Sequence, residues 1–263
     1  GLKILSRAEL LAMEPNIGDG VTAALYAPSG AIVCPYELCI AAVGCAMDNG
    51  PELHRNFEVT AIEKTTDGYR LTSSSGESVT GRLVINCAGA YSDEVAKMAG
   101  AGTFTVHPRK GEYLLLDREC GDTVGRTIFR CPSKMGKGIL VTPTVDGNLL
   151  LGPTAEDIGD KEDTATNAAG LVAVRRLATE QVRGIDFRKI ITSFSGLRSV
   201  GSTGDFIIDM PIPDFVNVAA IESPGLTSAP AIAEYVTELL EKAGWHFTPK
   251  EDFNPRRTPS HAF

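Results

Sequence analysis

Two strand-to-helix junctions stand towards opposite ends of this chain, with an antiparallel stretch between them. The first is Leu83-Val-Ile-Asn-Cys-Ala-Gly89-Ala-Tyr-Ser-Asp93. Its apolar run reads as a buried strand that stops at small residues, and Ser92 reads as the cap of a helix to about residue 99. The second is a strand over 215–221 that passes through Glu222-Ser-Pro-Gly225 into a helix over about 227–243. A meander precedes the first junction, with strands over 57–65, 69–73 and 78–86 and turns at Asp67-Gly68 and Ser75-Gly76. Between the junctions, strands are expected over 104–116, 126–130, 139–142 and 148–152, with a hairpin turn at Asp146-Gly147. A helix over 166–181 and strands over 189–197 and 206–209 come next. This order requires α/β plus α+β parts built from interleaved chain segments, not one clean boundary.

The remaining segments are simpler. Ser6-Arg-Ala-Glu9 is a capping box that opens a short helix ending before Pro15. Short strands are expected over 21–26 and 31–33, around the Pro28-Ser-Gly30 turn. Pro35 starts a helix that runs to Asp48 and ends at Asn49-Gly50. The stretch from Trp245 is Pro-rich and reads as a linker. The chain opens on Gly1 in mid-pattern, which suggests an internal piece of a longer protein.

Composition removes several classes of function. The net charge is −8, so no broad basic surface is available for nucleic acid. No apolar run reaches the ~18 residues that a membrane helix needs, and no secretion signal stands at the start. The six cysteines are Cys34, Cys39, Cys45, Cys87, Cys120 and Cys131. None forms a C-x-x-C pair and most lie among apolar residues, so they are expected to be reduced, mostly buried thiols of a cytoplasmic protein, with no metal site. A hydrolase triad is disfavoured because no G-x-S-x-G elbow is present.

A dinucleotide fingerprint appears only as text. Gly18-Asp-Gly20-Val-Thr-Ala23 fits G-x-G-x-x-A, but Pro15 stands where the strand should be and Pro28 where the helix should run. Three other places carry chemistry. The small residues Cys87, Ala88 and Gly89 would let a flat ligand approach the backbone, or serve strand–helix packing alone. The turn through Ser223-Pro-Gly-Leu-Thr-Ser228 leads into a helix N-terminus, where free N–H groups favour partial negative charge; an ordinary βα turn is the plain alternative. Arg198, in Ser195-Gly-Leu-Arg198, emerges from an apolar strand and suits a carboxylate or phosphate, unless it forms a structural ion pair. Arg109 and Lys137 are further cations on the middle block, and His107 beside them is the one histidine with a candidate catalytic role.

Taken in order, these segments resemble the FAD-dependent oxidoreductases of the D-amino-acid oxidase superfamily, over nearly the whole chain. The residues that carry the resemblance are Met13-Glu-Pro-Asn16, Pro108-Arg-Lys-Gly-Glu-Tyr113, Gly136-Lys-Gly-Ile-Leu-Val-Thr-Pro-Thr144, Gly152-Pro-Thr154, Gly196-Leu-Arg198 and Ser223-Pro-Gly-Leu-Thr-Ser-Ala-Pro230. Within the superfamily the chain looks most like the glycerol-3-phosphate dehydrogenase-like and L-2-hydroxyglutarate oxidase branches. The Phe253-Asn-Pro-Arg-Arg257 stretch resembles the lead into a C-terminal [2Fe–2S] domain, which this sequence does not contain.

The resemblance implies a partial FAD-binding domain over 34–100 and 211–245. It is interleaved with an antiparallel-sheet substrate domain over 1–33 and 101–210, and 246–263 is a linker. Val59 would lie by the adenine end of FAD, and Cys87, Ala88 and Gly89 would flank the dinucleotide. Ser223, Gly225, Leu226, Thr227 and Ser228 would hold the flavin pyrimidine edge. Arg198 would bind the substrate anion, with Lys137 and Arg109 as weaker candidates, and His107 would be the candidate base. The family's G-x-G-x-x-G segment is absent from these residues, so FAD binding by this chain alone is expected to be weak or lost. The implied reaction is hydride transfer from glycerol 3-phosphate, or a similar small anionic hydroxy substrate, to FAD. The alternatives are a 2-hydroxyacid (L-2-hydroxyglutarate) or amino-acid oxidase, and a non-catalytic binding module. The electron acceptor is left open, as is any peripheral-membrane or subunit association of the parent.

Overall fold

The computed structural model describes residues 1–131 and 138–257. In chain order the elements begin with β1 (Lys3–Ser6), α1 (Arg7–Met13), β2 (Ala23–Tyr26) and α2 (Pro35–Asp48). Next come β3 (Val59–Thr65), β4 (Gly68–Ser73), β5 (Ser78–Gly81), β6 (Val84–Asn86) and α3 (Ser92–Met98). The middle holds β7 (Val106–Leu116), β8 (Ile128–Phe129), β9 (Leu140–Pro143), β10 (Leu149–Gly152), β11 (Glu156–Asp157) and α4 (Ala168–Gln181). The last elements are β12 (Ile190–Gly201), β13 (Ile207–Ile212), β14 (Phe215–Ala219) and α5 (Gly225–Lys242).

Contacts divide the chain into two units. The first comprises Gly1–Cys34 and Arg109–Leu197; the second comprises Pro35–Pro108 and Arg198–Phe263. The expected later boundary at residue 210 therefore moves back to 197. Residues 198–212 pack with the second unit: β13 pairs with β14, Gly201 lies against Ala220, and the Ser202 N–H donates to Thr105 O.

The first unit is built on an antiparallel sheet in the order β11-β7-β10-β9-β8, with β12 also paired to β7. Alternation along β7 buries Leu114 and Leu116 on the face that meets β10 residues Leu149 and Leu151 and α4 residues Val174 and Ala178. That period-2 pattern is what a sheet with one covered face requires. The capping box at Ser6 forms as expected, with Glu9 Oε2 accepting from the Ser6 backbone N–H at 2.8 Å. Residues 31–33 form no strand. Gly18 explains the false fingerprint. Its N–H donates to Gln181 O at 2.7 Å, and a Cβ there would stand 2.5 Å from Glu180 O. It is a glycine of close packing against the end of α4, not of phosphate binding.

The second unit holds two three-stranded sheets, β3-β4-β5 and β13-β14-β6. The single meander strand expected over 78–86 is broken in two. Its first part, β5, ends at Gly81 on its antiparallel partner β4, and β6 starts at Val84 in a different sheet, parallel to β14. The Val84 N–H donates to Asp214 O at 3.0 Å, so a partner far along the chain redirects the strand. Tyr69, Val84, Ala101 and Phe215 form the core here. Ser92 does not cap α3 from outside. It is the first residue of the helix, and its Oγ donates back to Gly89 O at 2.8 Å. The cysteines also differ from expectation: only Cys120 is buried, while Cys39, Cys87 and Cys131 are exposed. The expected linker is packed, since Asn254 and Arg257 bond to the end of α2.

Candidate functional site

The parallel pair β6 and β14 sets the geometry of the candidate site. Their register places Val84 opposite Phe215, Ile85 opposite Val216 and Asn86 opposite Asn217. Both strands therefore end side by side, and the segments after them emerge at one carboxyl edge. In open α/β sheets, that edge is where ligands bind. Cys87, Ala88 and Gly89 come directly after β6 and are exposed. The turn over 220–224 comes after β14 and delivers α5, which begins at Gly225.

A buried polar lock holds this edge. Asn86 Nδ2 donates to Ser92 O at 2.8 Å and to Asn217 Oδ1 at 3.1 Å. Asn217 Nδ2 donates to Ala101 O at 2.8 Å and to Asp209 Oδ1 at 3.0 Å. The Ala88 N–H donates to Asn86 Oδ1 at 3.3 Å. Both asparagines are buried, so each unmade bond would leave a desolvated amide. Sequence reasoning passes over this pair. The signal is an amide inside each apolar strand, Val-Ile-Asn86 and Val-Asn217-Val.

The residues on this edge have several unusual features. Gly89 has φ +58°, a left-handed conformation that glycine adopts without a Cβ penalty. A Cβ built on Gly89 would lie 3.9 Å from Ser199 Oγ, so the Arg198-Ser199 stretch of β12 runs beside this segment. Desolvation holds the Cys87 thiol above its usual pKa although the residue reaches solvent, so it stays protonated and a poor nucleophile at neutral pH. Across the edge, Ala220 is buried and has φ +56°, a conformation rare for a residue with a side chain. Residue 224 provides no side-chain cap to α5. The first turn of that helix, with Leu226 and Thr227, presents backbone N–H groups and the positive end of the helix dipole.

The other expected residues fall in different places. His107 lies on β7 and Arg198 on β12, both in the second unit, and β7 pairs with β12. Val59 opens β3, opposite Ser73, and packs against the core that contains Val84 and Phe215. Arg109 lies in the first unit, where Nε and Nη2 donate to the two carboxylate oxygens of Asp157 at 2.5 and 3.1 Å. Its guanidinium fork is thus already held by a carboxylate. The neighbouring Lys110, not a candidate from the sequence, is buried and donates to Asp163 at 2.8 Å. Lys137 lies outside the described residues. Among the described residues no group of His, Cys, Asp or Glu could hold a metal ion. No helix among them is long and apolar enough to cross a membrane.

Comparison with known proteins shows the family. The chain belongs to the FAD dependent oxidoreductase (DAO) family, whose model matches residues 1–239. It is 44% identical over 258 residues to a glycerol 3-phosphate dehydrogenase of Caloramator mitchellensis, covering 97% of this chain and 54% of that protein. It is 32% identical to a glycerol 3-phosphate oxidase of Mycoplasma pneumoniae, covering 96% of this chain and 67% of that protein. Among solved structures it resembles the dithionite-reduced L-α-glycerophosphate oxidase of Mycoplasma pneumoniae with FAD bound. That match has a TM-score of 0.89 and 31% identity, covering 97% of this chain and 68% of the other. The chain thus spans about half the length of the first of these relatives.

Proposed function

We propose that the chain is the flavin-edge and substrate-side portion of an FAD-dependent dehydrogenase or oxidase that oxidises glycerol 3-phosphate or a similar small anionic alcohol. One observation carries this reading. The two segments expected to touch the cofactor emerge together at the carboxyl edge of the parallel pair β6 and β14. Cys87, Ala88 and Gly89 would lie along the dinucleotide, and the 223–228 segment would face the flavin's pyrimidine edge. When bound, FAD supplies the hydride acceptor.

The protein's own groups bind and orient. The uncapped first turn of α5 offers N–H donors to partial negative charge. Arg198 offers a planar pair of donors to a phosphate or carboxylate. His107 is the candidate to take the hydroxyl proton, since oxidation of an alcohol needs a base. Arg109 is already engaged by Asp157, so it is not proposed as a cation for the phosphate. The alternative substrates are a 2-hydroxyacid such as L-2-hydroxyglutarate and amino acids, whose carboxylate could rest on Arg198 alone. A non-catalytic binding module is the remaining alternative. The chain contains no G-x-G-x-x-G in a strand–turn–helix setting, so its own affinity for FAD is expected to be weak.

The test uses a longer protein that joins this chain to a dinucleotide-binding segment. Anaerobic bleaching of its flavin by glycerol 3-phosphate, faster than by L-2-hydroxyglutarate or amino acids, supports the reading. Bleaching only by the other substrates selects the alternative, and absence of bound flavin selects the binding module.

A further inference from the structure

The strongest unassigned feature is the clasp between the chain's C-terminal stretch and the end of α2. Asn49 comes directly after that helix, and its side chain joins two distant stretches of backbone. Nδ2 donates to Cys45 O at 2.8 Å and to Asn254 O at 2.9 Å, while Oδ1 accepts from the Asn254 N–H at 2.9 Å. Lys250 Nζ donates to Asn49 O at 2.8 Å, and Arg257 Nε donates to Asp48 Oδ2 at 2.7 Å. The Arg257 guanidinium covers Gly44, the one buried residue of α2, so closely that a Cβ there would stand 1.7 Å from Nη1.

We propose that residues 250–257 form a strap over the end of α2, locked by the Asn49 carboxamide, and that Asn49-Gly50 is a modification site at which deamidation opens the strap. The chemistry needs only hydroxide and water. The Gly50 amide nitrogen, after losing its proton to hydroxide, bonds to Asn49 Cγ. The Cγ–Nδ2 bond then breaks and the nitrogen leaves as ammonia. Water opens the cyclic imide to aspartate or isoaspartate. Asn-Gly is prone to this step because glycine places no side chain beside the attacking nitrogen.

One feature of the helix end and one of the closed strap restrain the reaction. The Gly50 N–H donates to Met47 O at 3.1 Å, and the Asn49 carboxamide is pinned by Asn254 on both its atoms. The product cannot keep the lock. An amide donates through nitrogen and accepts through oxygen, whereas a carboxylate only accepts. Its oxygen would face the carbonyls of Cys45 and Asn254, and two attractions become repulsions. None of these contacts depends on the flavin reading.

The test incubates the 263-residue chain at mildly alkaline pH beside a peptide of residues 43–55. Deamidation at Asn49 is followed by peptide mass, and opening by trypsin cleavage after Lys250 and Arg256. Asn49 in the protein should deamidate at least about tenfold more slowly than in the peptide, a protection of about 1.4 kcal/mol or more. Arg257→Ala should speed it. Asn49→Asp should expose Lys250 to trypsin while the rest of the chain stays resistant. Equal rates in protein and peptide, or a Lys250 as protected in Asn49→Asp as in the parent chain, would overturn the proposal. If Asn49→Asp unfolds the whole chain, the rate comparison in the parent chain still decides.

Discussion

Arg198 and Arg109 differ more in their surroundings than in their chemistry. Arg198 sits beside Ser199, which lies next to the exposed segment after β6. Arg109 meets Asp157 in a two-point ion pair. In a longer, flavin-binding protein, Arg198→Ala should raise KM for the anionic substrate at least about tenfold, as loss of a bidentate anion contact would. Arg109→Ala should leave KM near its parent value and change stability by no more than about 1 kcal/mol. Steady-state kinetics and chemical denaturation check both. Equal effects on KM would remove the distinction. The sequence marks Arg198 as leaving an apolar strand at residue 197, whereas β12 continues through it to Gly201. It does not mark Asn86 and Asn217, since a buried amide pair exists only once two distant strands lie in register. Asn217→Ala should destabilise the second unit by about 2 kcal/mol, because the Asn86 amide and the Ala101 carbonyl lose a partner in a dry site.

At the scale of elements, local chemistry predicts more than it does of strand partnership. The ends of α2 are readable from Pro35 and Asn49-Gly50, because proline and glycine act on the backbone where they stand. The break between β5 and β6 is not readable, because the redirecting bond comes from Asp214. β7 shows both kinds of information. Its alternation is plain in the sequence, and Leu151 opposite it is fully buried against α4, so Leu151→Ala should cost about 2–5 kcal/mol in a denaturant melt. The fate of its charged residues is not plain. The Lys110 hydrogen bond holds Asp163 below its ordinary pKa, and Asp163 in turn holds Lys110 above its own. A depressed carboxylate gives stability that is present above the ordinary carboxylate value near about 4 and is lost as pH falls through the lowered one. A raised lysine gives stability that is lost only as pH rises beyond the ordinary lysine range. Asp163→Asn should therefore lower Tm at neutral pH, and the gap from the parent chain should close on acidification. A gap that stays constant into acid would show that the pair contributes no charge-dependent stability.

At the scale of the whole molecule, the chain divides into an antiparallel unit and a unit that keeps one parallel strand pair. The interleaving of segments is legible because strand–helix junctions and hairpins differ in pattern. The later boundary is not, because β13 joins its unit through pairing with β14 and packing against α5, both set by distant chain. Family membership points to FAD, although the chain carries no phosphate-binding fingerprint of its own. The proposed function requires that the carboxyl edge of β6 and β14 seat the cofactor. Ala88 is exposed on that edge, so Ala88→Phe should leave the fold of this chain and its Tm unchanged. The decisive measurement is the FAD dissociation constant of the longer protein with and without Ala88→Phe. A weakening of at least about tenfold, or 1.4 kcal/mol, is expected if FAD lies along this edge. An unchanged dissociation constant would place the cofactor elsewhere and contradict the reading.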